Sequence, residues 1–206
     1  TQAASKATQA VPDSQHPSAS ANEVWHSEAA AKASAKGNSL EAISGHKAAS
    51  VEHKRASKEL AIADPAASKA HKKASTAHAQ AAKAHQEHVD SNRSSPMGRA
   101  SVKADEETSA VPHVAGGGAT GEYEAAAARH ASKWASQASA NGDSSRASYY
   151  HREASREHVE AAKMINRHGS PGFIYGNWVT PKDAEVHLAA SRAHDKAAAL
   201  HKEWKD

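Results

Sequence analysis

Sixteen histidines stand among 206 residues, and ten of them recur at matching positions in two stretches of the chain. His46 and His53 lie nine and sixteen residues after Gly37; His151 and His158 lie nine and sixteen after Gly142. His71, His78 and His85 follow Pro65 by six, thirteen and twenty residues, and His187, His194 and His201 follow Pro181 by the same steps. Imidazole titrates near neutrality and is the commonest metal ligand, so two chemistries compete. For a metal, the spacing is unhelpful within one helix. Residues seven apart are separated by about 10.5 Å along the axis, whereas ligands of one zinc each bring a nitrogen to about 2.0–2.1 Å from it. Only His85 and His88 have a chelating i, i+3 spacing, and Trp204 stands in the place of His88 in the second stretch. A metal centre drawn from His46, His53, His71, His78, His85, His88, His151, His158, His187, His194 and His201 therefore has to be assembled across helices, for example His53 with His71 or His158 with His187. No paired Glu-x-x-His pattern of the di-iron type accompanies them, apart from one instance at Glu23 and His26. The alternative, and the reading adopted, is structural: the rings flank a narrow alanine seam and hydrogen-bond to carboxylates or carbonyls across it. No metal and no cofactor is expected on that reading.

Other chemistry is sparse. The serines lack a nucleophile-elbow context. Gly116–Gly117–Gly118 has neither the lysine nor the preceding strand of a phosphate-binding loop. No enzymatic activity and no catalytic residue is expected. Between Asp64 and Glu87 the chain has lysines (Lys69, Lys72, Lys73, Lys83) and no acidic residue, which raises nucleic acid as a partner. The charge balance argues against it: eleven basic against eight acidic residues over 20–93, and twelve against eleven over 121–206. A phosphate-tracking protein shows a larger excess. The aromatic cluster Phe173, Tyr175 and Trp178 is expected either to cap a bundle or to dock on a partner.

The elements that must hold these residues are helices. Leu, Ile, Val and Phe number nineteen in all, while alanine, the best helix former, supplies most of the apolar count. There is no cysteine, and the formal charge is only +3. No apolar run is long enough to cross a bilayer and no leader-like segment opens the sequence, so no membrane association is expected. Helix starts and stops are explicit. Helices are expected over 22–36, 39–63 and 65–90, then over 122–140, 144–167 and 181–205. Asn38, Asp64, Asp143 and Thr180–Asp183 act as N-caps, and Gly37 and Gly142 as stops. The second copy has eleven more residues between its second and third helices than the first. A continuous rod would not survive that insertion, so these helices are expected to pack antiparallel. The packing seams are read as Ala67, Ala70, Ala74, Ala77, Ala81 and Ala84, and as Asp183, Val186, Ala190, Ala193, Ala197, Leu200 and Trp204.

The expected organisation is thus an all-α, internally duplicated antiparallel bundle of about three helices per copy. A mobile or partner-bound tail covers 1–20, repeat one 21–92, a Gly/Pro/Ser linker 93–120 and repeat two 121–206. The A-x-x-A-H steps of Ala67–His88 and Ala184–His201, with the stretch His151–His158, resemble Ala/His-rich helical segments of structural proteins of tailed bacteriophage virions. That resemblance implies a non-enzymatic assembly component of a large particle, located in the virion or else the cytoplasm, whose partners are itself and other structural proteins. The alternatives are a histidine-rich metal-binding bundle and a DNA-associated packaging protein. Alanine seams bury little area, so association is expected to support the fold. Protonating all sixteen histidines would raise the charge from +3 to +19. Helicity or assembly should therefore weaken between about pH 6.5 and 5, unless Glu52, Glu157 or Glu160 pair with the rings.

Overall fold

The computed structural model describes residues 21–111, 121–167, 172–174 and 177–203, with the two segments 172–174 and 177–179 described by backbone alone. The expected tail over 1–20 lies outside the described residues, as do Tyr175 and Trp204. The described helices are α1 (Ala21–Ala35), α2 (Ser39–Glu59), α3 (Pro65–Ser94), α4 (Pro96–Ser109), α5 (Glu122–Ala140), α6 (Ser144–Arg167) and α7 (Pro181–Glu203). The chain divides into two compact units, one ending at Ser91 and the other beginning at Asn92.

Helix boundaries follow from local chemistry. At the end of α1 the amide of Asn38 donates to the Ala33 carbonyl and that of Gly37 to Ser34. Gly37 turns the chain at φ +70°, a conformation that is unstrained only without a Cβ. Gly142 does the same after α5 at φ +79°, with Asp143 donating to Ala138 and Gly142 to Ser139. The following helices are capped by side chains: Glu41 N–H donates to Asn38 Oδ1 (3.3 Å), Ala67 N–H to Asp64 Oδ1 (2.9 Å) and Arg146 N–H to Asp143 Oδ1 (3.0 Å).

In the first unit α2 and α3 run antiparallel, as expected. Their interface is stitched by hydroxyls: Ser50 Oγ donates to the Ser75 carbonyl (2.9 Å) and Ser75 Oγ to the Ser50 carbonyl (2.8 Å). Helix α1 lies so close to α2 that a Cβ on Gly45 would sit 2.9 Å from Ala30. In the second unit α6 packs on both α5 and α7, and α4 packs on both α7 and α5, closing a ring of four helices.

One expectation needs correction. Residues 93–120 are not a plain linker, because 96–109 form α4, a full member of the second unit. Ser95 accepts from the Gly98 amide at 3.0 Å and Pro96 occupies the first turn. A Ser-Pro step reads as a breaker, but it is also a helix start. The insertion between α6 and α7 carries a two-stranded antiparallel hairpin, Gly172–Ile174 with Asn177–Val179, in which Phe173 is the register partner of Trp178. β-branched and aromatic residues on both arms favour that pairing over an irregular connection. No helix among the described residues is long and apolar enough to cross a membrane.

Candidate functional site

All ten register histidines are buried, and none is more than 4 % exposed. They do not flank the alanine seam; they are part of it. The buried stripe of α3 reads Ala67, His71, Ala74, His78, Ala81, His85, while Ala70 is exposed. In α7 it reads Ala184, His187, Ala190, His194, Ala197, His201, and Val186 and Leu200 are only half-buried. Ala67, Ala74, Ala81, Ala190 and Ala197 of the expected seams are buried, whereas the positions between them fall one residue short of the buried histidines. Alternating a ring with a methyl fills the interhelical space that alanine alone would leave open.

Antiparallel packing brings rings face to face across the interface. In the first unit His46 Nδ1 lies 2.8 Å from His78 Nδ1, and His53 Nδ1 lies 3.0 Å from His71 Nδ1. The second unit repeats this, with 2.8 Å between His151 and His194 and 3.0 Å between His158 and His187. Rings from successive pairs stack, with centroids 5.4 Å apart for His53 and His78 and 5.7 Å for His158 and His194.

The Nε2 atoms of His46, His53, His78, His85, His151, His158, His194 and His201 meet hydroxyls from a third helix, not carboxylates or carbonyls as expected. In the first unit α1 provides them. Ser27 Oγ bonds His53 Nε2 (3.4 Å) and His78 Nε2 (3.1 Å), and Ser34 Oγ bonds His46 Nε2 (3.2 Å) and His85 Nε2 (2.9 Å). His85 Nδ1 then meets Ser39 Oγ at 3.1 Å. In the second unit α4 provides them. Ser101 Oγ bonds His151 Nε2 (2.8 Å) and His201 Nε2 (3.0 Å), and Thr108 Oγ1 bonds His158 Nε2 (3.0 Å) and His194 Nε2 (2.8 Å). Each bridging pair of hydroxyls is seven residues apart, the same heptad step as the rings. That spacing was available as a signal, but it is hard to see in a chain this rich in serine.

The units differ in which helix supplies the hydroxyls. Ser132 and Ser139 precede Gly142 by ten and three residues, just as Ser27 and Ser34 precede Gly37. Yet Ser132 Oγ donates to Asp105 Oδ1 (2.8 Å), and Ser139 Oγ is buried without a partner. Helix α4 has taken over their role.

Removal from water pushes His78, His151 and His158 down to about 3, and His46, His187 and His194 down to about 4. Neighbouring rings reinforce this at His46, His78, His151 and His158, and Arg129 lowers His158 and His187 further. Asp183 acts in the opposite sense on His187, as do Asp105 and Asp195 on His194. His85 and His201 are also lowered, chiefly by burial. The glutamates weighed as ring partners serve surface arginines and lysines instead: Glu52 with Arg55, Glu157 with Arg156 and Glu160 with Lys163.

Among the described residues no group of three or more histidine or carboxylate side chains is disposed to hold a metal ion. The pairs His53–His71 and His158–His187 do form, but as hydrogen-bonded rings. His88, the one i, i+3 companion of His85, is half-buried. The side chains of Phe173 and Trp178, and all of Tyr175, fall outside what is described. Exposed aromatics occur elsewhere in the second unit, where Trp134 stacks on Tyr150 (6.2 Å) and Tyr149 meets Tyr150 edge-on (5.2 Å). The chain matches no protein-family model, no curated protein and no solved structure.

Proposed function

We propose that this protein is a non-enzymatic structural component that acts through its helical bundles in a larger assembly. The observation that carries this reading is the commitment of the ten histidines to one another and to four bridging hydroxyls inside the cores. The residues best suited to chemistry hold helices together and face no open cleft. The exposed Trp25, Tyr123, Trp134 and Tyr149 offer apolar surface for association. The virion of a tailed bacteriophage is the setting that the Ala/His-rich helical pattern supports. Sedimentation of the purified chain, and tagged pull-down from a producing cell, test the proposal. Self-association or recovery within a large particle is expected. A monomer that stays compact at all concentrations and is recovered in no assembly would overturn it.

One observation favours a second reading, an acidic macromolecule as partner. A groove of about 540 Å³ between α4 and α7 is lined by Arg99, Lys103, Arg192 and Lys196, with one carboxylate, Glu107, and the apolar Ala100, Ala193 and Leu200. Phosphate neutralisation would make binding of duplex DNA steeply salt-dependent. Charge reversal at Arg192 and Lys196 should abolish such binding, and salt-independent or absent binding would dismiss this reading.

A further inference from the structure

The contacts in the second unit join end to end. His201 is linked through Ser101 to His151, His151 directly to His194, His194 through Thr108 to His158, and His158 directly to His187. Each link holds one hydrogen, because two facing nitrogens, or a nitrogen and a hydroxyl oxygen, bond only when one donates and the other accepts. A neutral imidazole carries a hydrogen on one nitrogen only. With each bridging hydroxyl donating its own hydrogen to one of its two rings, fixing the tautomer of any ring fixes all five.

One end of this file is distinctive. Nδ1 of His201 is buried with no hydrogen-bond partner among the described residues, in a ring 1 % exposed. At the corresponding end in the first unit, His85 Nδ1 meets Ser39 Oγ. The residue in the place of Ser39 is Ser144, whose hydroxyl is directed instead at Met97 Sδ (3.8 Å). A buried nitrogen without a partner is better tolerated as a lone pair than as an unsatisfied N–H, since orphaned donors are the rarer of the two.

We propose that the five histidines of the second unit form a single polarised proton relay, with its accepting end at His201 Nδ1 and its donating end at His187 Nε2. The hydrogen on His201 sits on Nε2 and is donated to Ser101 Oγ. The Ser101 hydroxyl donates to His151 Nε2, and His151 Nδ1–H donates to His194 Nδ1. His194 Nε2–H donates to Thr108 Oγ1, the Thr108 hydroxyl donates to His158 Nε2, and His158 Nδ1–H donates to His187 Nδ1. The last hydrogen rests on His187 Nε2. A proton taken up at His201 Nδ1 and one released at His187 Nε2 shift every hydrogen by one link. All rings are then again neutral, with every tautomer reversed. The ends lie fourteen residues apart on α7, a span of about 21 Å. In the first unit the corresponding end, His85 Nδ1, meets Ser39 Oγ, which can donate or accept. The relay is internal to one unit and does not depend on what the protein assembles with.

Imidazole ¹⁵N spectroscopy of the uniformly labelled full chain at pH 7 tests this. His201, His194 and His187 are expected with hydrogen on Nε2, and His151 and His158 with hydrogen on Nδ1. The relay is overturned by hydrogen on Nδ1 of His201, or by the same tautomer in both rings of a pair. The variant Thr108→Val adds a second reading. It leaves His194 Nε2 without an acceptor, so the shortened file of His194, His151 and His201 has equivalent ends and both polarities are populated. Tautomer mixing should thus reach His151 and His201, two and three rings beyond the point of change. Changes confined to His158 and His194 would show independent pairs and no relay. Should that variant not fold, the wild-type tautomers decide alone.

Discussion

At the scale of the residue, a ring pair with Nδ1 to Nδ1 at 2.8 Å makes each imidazole depend on its partner. Replacing His151 with Leu leaves His194 Nδ1 and the Ser101 hydroxyl short of partners in a dry core. The unmet polar groups should cost about 1–3 kcal/mol. Replacing His151 and His194 together with Leu removes both sides of the link, and the double variant should be more stable than the sum of the singles implies. Chemical denaturation of the three variants measures the coupling, and simple additivity would show that the pair is not coupled. The sequence already held the ten rings in register and named two of the four ring pairs, because antiparallel helices with matched heptads must oppose them. It did not reveal that the rings are the seam. Hydropathy ranks alanine above histidine as a buried residue, and only the mutual satisfaction of ring nitrogens reverses that order. Ser27, Ser34, Ser101 and Thr108 were missed for a related reason, since a bridging hydroxyl is chemically no different from a solvated one.

At the scale of the element, helix ends were readable wherever a cap is local in sequence. Asn38, Asp64, Asp143, Gly37 and Gly142 act within four residues of themselves, which is why α2, α3, α5 and α6 begin or end close to where they were placed. Helix α4 was hidden because its identity depends on distant partners. Its buried residues Gly98, Ser101, Ala104 and Thr108 are small or polar, and the rings of α6 and α7 give Ser101 and Thr108 a reason to be inside. Ser95→Ala removes the side-chain cap and should destabilise the second unit by about 1 kcal/mol. Shortened protection of α4 amides in hydrogen exchange would register it, and unchanged protection would mean the cap contributes nothing. Gly45 makes a sharper case. An added methyl meets the backbone of Ala30, which cannot swing aside, so Gly45→Ala should cost about 1–3 kcal/mol and loosen α1 from the rings it bridges. A thermal midpoint equal to wild type would contradict that packing.

At the scale of the whole molecule, the two cores make the fold sensitive to acid. A ring lowered by burial prefers to be neutral in the folded state, so it supports folding above the unfolded value near 6.5. That support is lost as pH falls from there toward the folded value. Each such ring forfeits about 1.4 kcal/mol per pH unit in that window. His151, His158, His187 and His194 in the second unit and His46 and His78 in the first are lowered to about 3 to 4. Two such rings already remove roughly 3 kcal/mol per pH unit, against a typical domain stability of about 5–15 kcal/mol. Asp105, Asp183 and Asp195 temper the loss in the second unit, and Arg129 deepens it. Circular dichroism should show helicity falling between about pH 6 and 4.5. Constant helicity down to pH 4 would show that the rings are solvated.

Neutral imidazoles are also nucleophiles, and acylating reagents such as diethyl pyrocarbonate attack them wherever they can be reached. His130 lies exposed on α5, whereas the ten register rings are sealed between helices. At neutral pH the reagent should mark His130 at once and each register ring only when its bundle opens. Every register ring then acts as a clock on the breathing of its own core, and comparing the two sets of clocks gives the opening rate of each unit within one intact chain.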